Sequence, residues 1–177
     1  MTKTLYIVEG EIEERFFSFL IQNDYIAPGR INVFNLMQNE LHYTNAIFTK
    51  RIGKIFAFLD TDRTGVNNLK VLENNVSMLK TVCPKHLFLL IQNQNFEDEL
   101  RYMLSCKSLQ ALCNTLGIRH CTKKDMKTFL SQSVHYDQLI SRKHLQRYCT
   151  RQECFLDLLP NSLRKLCVSI TPCLLRK

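Results

Sequence analysis

Residues Ile55-Phe56-Ala57-Phe58-Leu59-Asp60-Thr61-Asp62 pass from five consecutive apolar positions straight into two carboxylic acids one residue apart. A short run that is apolar at every position suits a strand covered on both faces, as in a parallel sheet. Ligands of open parallel sheets bind beyond the carboxyl ends of the strands, so the residues after Leu59 are where function is expected. Alternate residues of an extended backbone project to the same side, which lets Asp60 and Asp62 face one ion.

Working outward, the first hundred residues alternate short runs rich in Ile, Val and Phe with longer amphipathic segments, the pattern of strands joined by crossover helices. Leu5 to Val8 reads as the first strand, and Ile12, Phe16, Phe19 and Leu20 then recur at helical spacing. Pro28 and Gly29 close that unit, Ile31 to Leu36 reads as a second strand, and a helix is expected near Ala46. After the third strand, residues 66 to 82 form a helix with Leu72, Val76 and Leu79 on one side. His86 to Ile91 is a fourth strand. The turn-prone Gln92 to Asn95 leads into a helix whose stripe is Phe96, Leu100 and Leu104. From Ser105 the apolar residues keep helical intervals only, first Leu109, Leu112, Cys113 and Leu116, later Ile140, His144, Leu145 and Tyr148. With no repeat or flexible linker, residues 105–177 are expected to pack on the sheet unit, residues 1–104.

A chain of 177 residues with 45% apolar, 23% charged and 10% aromatic content, 5 Gly and 4 Pro has material for a core and is neither collagenous nor largely disordered. No run approaches the roughly 20 apolar residues of a membrane span, and the opening MTKTLYIVEGEIEE meets acid too early for a signal peptide, so a cytoplasmic location is expected. Eight cysteines occur without a CxxC pair or an export signal, and reduced, mostly buried thiols are the expectation. His144, Cys149 and Cys154 come nearest to a metal cluster, but five residues rotate a helix by roughly 140°, so they would diverge.

The net charge of +8 is unevenly placed. Residues 1–100 hold 10 Lys/Arg and 12 Asp/Glu, whereas residues 101–177 hold 14 basic residues and 4 acids. The excess lies at Lys123, Lys124, Lys127, Arg142, Lys143, Arg147, Arg151, Arg164 and Lys165. Such a region suits a nucleic-acid polyanion, with a merely soluble basic surface as the plain alternative.

The acids gather where the strands end. Glu9, Gly10 and Glu13 follow the first strand, Asp60 and Asp62 the third, and Glu97, Asp98 and Glu99 the fourth after a turn. If a helix starts near Gly10, which allows a tight turn, Glu13 lies one turn above Glu9 and points back toward it. Uncompensated acids at a buried sheet edge repel one another, and a hard divalent cation with oxygen ligands relieves that repulsion. Glu11, Glu14 and Asp98 read instead as solvated helix faces with acid near the N-terminus, and for Glu13 and Glu97 both roles are open.

At these residues the chain resembles the Toprim superfamily, whose pattern is a strand, a Glu-Gly step, a helix, and later a strand ending in Asp-x-Asp. Leu5-Tyr6-Ile7-Val8-Glu9-Gly10 and Phe56-Ala57-Phe58-Leu59-Asp60-Thr61-Asp62 carry both hallmarks. The Val-Glu-Gly-x-x-Glu form, with Glu13 followed by Phe16 and Phe17, is similar to the branch of overcoming-lysogenisation-defect nucleases and RloB-like proteins, as is the Asn95-Phe96-Glu97 step. The likeness covers residues 5 to about 104. It implies an α/β fold, a Toprim-like parallel sheet of about four strands flanked by helices, here with a C-terminal helical extension. The tail, 105–177, matches no motif of the family.

The resemblance also implies a Mg²⁺- or Mn²⁺-dependent nuclease of prokaryotic anti-phage defence that hydrolyses phosphodiesters of DNA or RNA. Glu9, Glu13, Asp60 and Asp62 would be its metal ligands, Glu97 a further catalytic acid, and Glu9 alternatively a general acid or base. Arg63 would steady a phosphate or be a plain surface residue, and the basic tail would grip the strand. Gly53-Lys54-Ile55 lacks the flanking residues of a Walker loop, so the ATPase that such nucleases carry would be a separately encoded partner, or another defence component would take its place. A homo-oligomer is compatible with this reading. The rival is a non-catalytic nucleic-acid-binding or assembly subunit whose acidic edge is structural. A Cys/His nucleophile is disfavoured because His86 and His120 lack partner motifs and the adjacent His120 and Cys121 would not face each other.

Overall fold

The computed structural model describes residues 3–45, 52–62, 65–132, 136, 140–150 and 156–168. Four parallel strands form one sheet: β1 (Lys3–Val8), β2 (Gly29–Val33), β3 (Ile52–Leu59) and β4 (Leu87–Ile91), in the order β2-β1-β3-β4. Helices α1 (Glu11–Gln22), α2 (Val66–Val82) and α3 (Phe96–Met103) are interleaved with the strands or follow them. Four further helices of 4 to 8 residues succeed them among the described residues: α4 (Leu109–Thr115), α5 (Lys123–Leu130), α6 (Arg142–Leu145) and α7 (Asn161–Arg164). The expected α/β class, a parallel sheet of four strands flanked by helices with a helical extension, is the observed one.

Side-chain alternation splits the apolar strands between two cores. Tyr6, Val8, Phe56, Phe58 and Leu90 face one side, where they meet Phe16, Phe17 and Leu20 of α1, Leu100 and Met103 of α3, and Leu112, Met126, Leu145 and Tyr148 of the extension. Leu5, Ile7, Ile55, Ala57, Leu59, Leu89 and Ile91 face the other, against Leu72, Val76 and Leu79 of α2 and Leu159 and Leu163 near the end of the chain. The extension thus contributes to both layers. It also covers the outer edge of β4, where the Leu89 N–H donates to the Leu166 carbonyl and the Val168 N–H donates to that of Leu89. This covering satisfies backbone groups that an edge strand would leave open. Among the described residues no helix is long and apolar enough to cross a membrane.

Three local expectations are corrected. Strand β2 runs Gly29–Val33 rather than Ile31 to Leu36, so Gly29 opens it instead of closing the preceding unit. The reason at its start is space: a Cβ on Gly29 would stand 2.6 Å from the Tyr6 ring and 2.8 Å from the Thr4 carbonyl. Its end is set by Asn35, whose side-chain oxygen accepts the N–H groups of Met37 and Gln38, each at 3.0 Å, and turns the chain out of the sheet. Secondly, not all thiols are free, because Cys113 and Cys121 form a disulfide. The chain turns back after α4 at Gly117, whose φ is +71°, and this brings their Cα atoms to 5.7 Å. Thirdly, the segment around His144 is not one long helix. α6 has 4 residues, and Cys149 takes a positive φ of 53°. Cys149 is buried there while His144 is half-buried, and Cys154 lies outside the described residues, as does the helix expected near Ala46.

Candidate metal and phosphodiester site

All four strands deliver a polar residue to the same end of the sheet. β2 leads to Asn35, β1 to Glu9, β3 to Asp60 and Asp62, and β4 to Gln92 and Glu97. Glu9, Gly10, Glu13, Asn35, Asp60, Asp62 and Glu97 line one cleft of about 330 Å³, with Lys127 of α5 at its border. Pairing of β1 directly with β3 places the two principal acidic segments side by side. One Glu9 oxygen accepts the Asp60 N–H at 3.0 Å, and the other accepts a hydrogen from the Asn35 side chain.

Glu13 points back as expected. Helix α1 starts with Gly10 as its N-cap, and a glycine has no side chain with which to cap. One Glu13 oxygen makes the reciprocal bond of a capping box, accepting the N–H groups of Glu9 at 3.0 Å and Gly10 at 2.9 Å. The other oxygen accepts a hydrogen from Gln92 Nε2 at 2.8 Å. With the residue only 3% exposed, Glu13 is a buried fixture of the turn that carries Glu9.

The Asp60-Thr61-Asp62 step bends instead of staying extended. The Thr61 and Asp62 N–H groups both donate to the Gln94 carbonyl, at 2.7 and 2.9 Å. The Thr61 hydroxyl donates to the Gln92 carbonyl at 3.0 Å and accepts the Gln94 N–H at 2.7 Å. Asp60 is half-buried and Asp62 exposed, and both border the cleft.

Asp60 Oδ1 is buried and has no hydrogen-bond partner among the described residues. Burial above all, then the negative charges of Glu13, Glu9, Asp62 and Glu97, push its carboxyl up to about 9. Burial also raises Glu13 to about 7, against the opposing pull of Gln92 and the two backbone N–H donors. Among the described residues no three acid, imidazole or thiol groups already stand together as a metal cage. The donor set nonetheless fits a hard cation: it is all oxygen, it includes the four acids Glu9, Asp60, Asp62 and Glu97, and one buried carboxylate oxygen has no hydrogen-bond partner among the described residues.

Of the residues expected to contact nucleic acid, Lys127 borders the cleft, and Lys124, Lys143 and Arg147 are exposed. Arg147 lies over the Tyr102 ring at 5.4 Å and donates to the Ser105 hydroxyl. Lys123 belongs to α5 and Arg142 to α6. Arg63 and Arg151 fall outside the described residues. Asp98 pairs with Arg101 at 3.2 Å, as a helix-face residue would, whereas Glu11, expected to be no more than that, is exposed but also borders the cleft. Cys121 is in the disulfide, so the His120-Cys121 pair has no free thiol, and burial raises the Cys149 thiol well above its usual range.

Asn35 and Gln92 did not stand out in the sequence, while Glu99 read as one more acid at a helix start and Tyr148 as a position at helical spacing. Glu99 is fully buried, and its two oxygens accept the N–H groups of Asn93 at 2.9 Å and Cys149 at 2.7 Å, tying the extension to the turn after β4. The available signal for Asn35 and Gln92 was position: each lies just beyond a strand, as the acids do. Compared with known proteins, the chain matches no family model, no curated protein and no solved structure.

Proposed function

We propose that the chain is a Mg²⁺- or Mn²⁺-dependent nuclease of the Toprim type that hydrolyses phosphodiester bonds in DNA or RNA. The observation that carries this reading is the convergence of Glu9, Asp60, Asp62 and Glu97 from three strand ends on one cleft, with a buried Asp60 oxygen that has no hydrogen-bond partner among the described residues. Asp60, Asp62 and Glu9 would hold the cation, with Glu13 fixing the turn beneath Glu9 and Glu97 on the cleft wall. A bound divalent ion would lower the pKa of a coordinated water and neutralise charge on the phosphoryl oxygens. Hydrolysis then adds water across the P–O bond, hydroxide to phosphorus and a proton to the leaving oxygen. Lys127 at the cleft border would hold a neighbouring phosphate, and the exposed Lys124 and Lys143 would extend that contact along the strand. The biological role that follows is an effector of cytoplasmic anti-phage defence, working with a separately encoded ATPase or another component of the system.

The test is cleavage of linear duplex DNA, single-stranded DNA and structured RNA in Mg²⁺ and in EDTA, by the wild type and by Asp60→Asn and Asp62→Asn. Metal-dependent cleavage that both substitutions abolish, with the fold intact by circular dichroism, supports the nuclease. Nucleic-acid binding that persists in EDTA, with no cleavage in Mg²⁺ or Mn²⁺, would instead identify a non-catalytic binding subunit.

A further inference from the structure

Gln92 is the first residue after β4 and is fully buried, an unusual position for a side-chain amide. Its backbone is fixed on both sides of Asp60: its N–H donates to the Leu59 carbonyl at 2.9 Å, and its carbonyl accepts the Thr61 hydroxyl at 3.0 Å. Its Nε2 donates to Glu13 Oε1 at 2.8 Å and also to the Tyr148 hydroxyl. Its Oε1 is buried with no partner among the described residues. A flipped amide would set that oxygen against the Glu13 carboxylate, so the orphaned oxygen is the cost of presenting both Nε2 hydrogens where they are used. Tyr148 belongs to the extension, and its ring is gripped by Phe16, Phe17 and Phe58 with centroids 5.7, 6.2 and 6.1 Å away. Next to it, the Cys149 N–H is held by Glu99.

We propose that Tyr148 and Gln92 are positioning residues: Tyr148 orients the Gln92 amide, Gln92 clamps Glu13, and Glu13 fixes the Glu9–Gly10 turn on which the acid cleft is built. The chain of contacts makes seating of the extension a condition for cleft geometry, through a bond between Gln92 and Tyr148, which lie 56 residues apart in sequence. For catalysis the inference rests on the nuclease reading; for structure it does not.

The discriminating measurement is amide hydrogen exchange by NMR on the full chain, comparing wild type, Tyr148→Phe, Gln92→Met and the double variant. The Phe ring keeps the aromatic packing and loses only the hydroxyl. Tyr148→Phe is expected to speed exchange of the Glu9 and Gly10 amides, the two that Glu13 protects, by roughly tenfold while β3 amides such as Phe56 stay unchanged. The double variant is expected to match Gln92→Met alone, since both act through one amide. Unchanged Glu9 and Gly10 exchange in Tyr148→Phe, equal acceleration of every amide, or fully additive effects would overturn the chain. In cleavage assays, Tyr148→Phe is expected to raise the Mg²⁺ concentration for half-maximal rate several-fold with KM for nucleic acid unchanged. The expected exchange pattern in a wild type that cleaves nothing would reject the nuclease and leave the positioning chain standing.

Discussion

The Glu9 carboxylate accepts the backbone N–H of Asp60 at 3.0 Å, joining two acidic segments 51 residues apart. The contact follows from topology. β1 and β3 are neighbours and parallel, so their carboxyl ends emerge together, and the residue that follows each strand is an acid. Bonding to a backbone amide, Glu9 can approach Asp60 without its carboxylate having to face the Asp60 carboxylate directly. The repulsion that remains is concentrated on Asp60.

Burial of Asp60, with the repulsion of its neighbours added, sets a pH dependence. Unfolded, Asp60 titrates at its ordinary 3.8, whereas folded it keeps its proton up to about 9, so the folded state binds more protons between these values. The Asp60 contribution to metal-free stability is therefore full below about pH 4 and is lost as the pH rises toward 9, and the smaller Glu13 contribution is lost as the pH rises toward about 7. The expected result in EDTA is a Tm that falls as the pH rises through this window. Asp60→Asn should flatten the slope and be the more stable form at pH 8 in EDTA. Parallel Tm–pH curves for the two proteins would contradict this.

Asn75 is a buried polar residue on α2 with a separate task. Its side chain accepts the Leu41 N–H at 2.8 Å and donates to the carbonyls of Leu36 at 2.8 Å and Asn39 at 2.7 Å. It pins the segment that follows Asn35. Asn75→Leu leaves these backbone groups unpaired and should cost about 2–4 kcal/mol, read as a lower urea midpoint with an unchanged m-value. A change within about 0.5 kcal/mol would show that the segment is held by other contacts.

The Cys113–Cys121 disulfide closes a short loop between α4 and the start of α5, the helix that brings Lys127 to the cleft. By loop entropy it is worth about 2–3 kcal/mol. Reduction, or Cys113→Ser, is expected to lower Tm by about 5–10 °C. An unchanged Tm in strong reductant would mean that packing alone positions α5.

Lys127 borders the cleft, and the exposed Lys124 lies three residues earlier on the same helix. Lys127→Ala is expected to weaken nucleic-acid binding across sequences and to reduce the slope of log affinity against log salt by about one. An unaltered slope would remove Lys127 from the interface.

Much of this architecture was legible in the sequence because it depends on local signals. The all-apolar runs marked β1, β3 and β4, and the Leu72, Val76 and Leu79 stripe marked α2 with its observed ends, Val66 and Val82. The acids after the strands identified one cleft, since parallel strands expose their carboxyl ends on one side. What stayed hidden depends on partners distant in sequence. Glu13 read as either a metal ligand or a helix-face acid, and neither reading contained the bonds by which its two oxygens hold Glu9, Gly10 and Gln92. Glu99 read as a member of an acidic helix start, yet it is buried because its acceptors meet an N–H of the extension. Gln92 carries no periodic or charge signal, Tyr148 read only as one more position at helical spacing, and the disulfide needed the turn at Gly117 that no CxxC spacing announces.

The central claim, that these acids form one cation site, is tested most directly by anomalous diffraction from crystals soaked in Mn²⁺. The expected result is a single peak or a close pair within about 2.5 Å of an Asp60 oxygen, with Asp62 or Glu9 completing the coordination. Saturating Mn²⁺ that gives no peak in this cleft, or one elsewhere on the molecule, would contradict it.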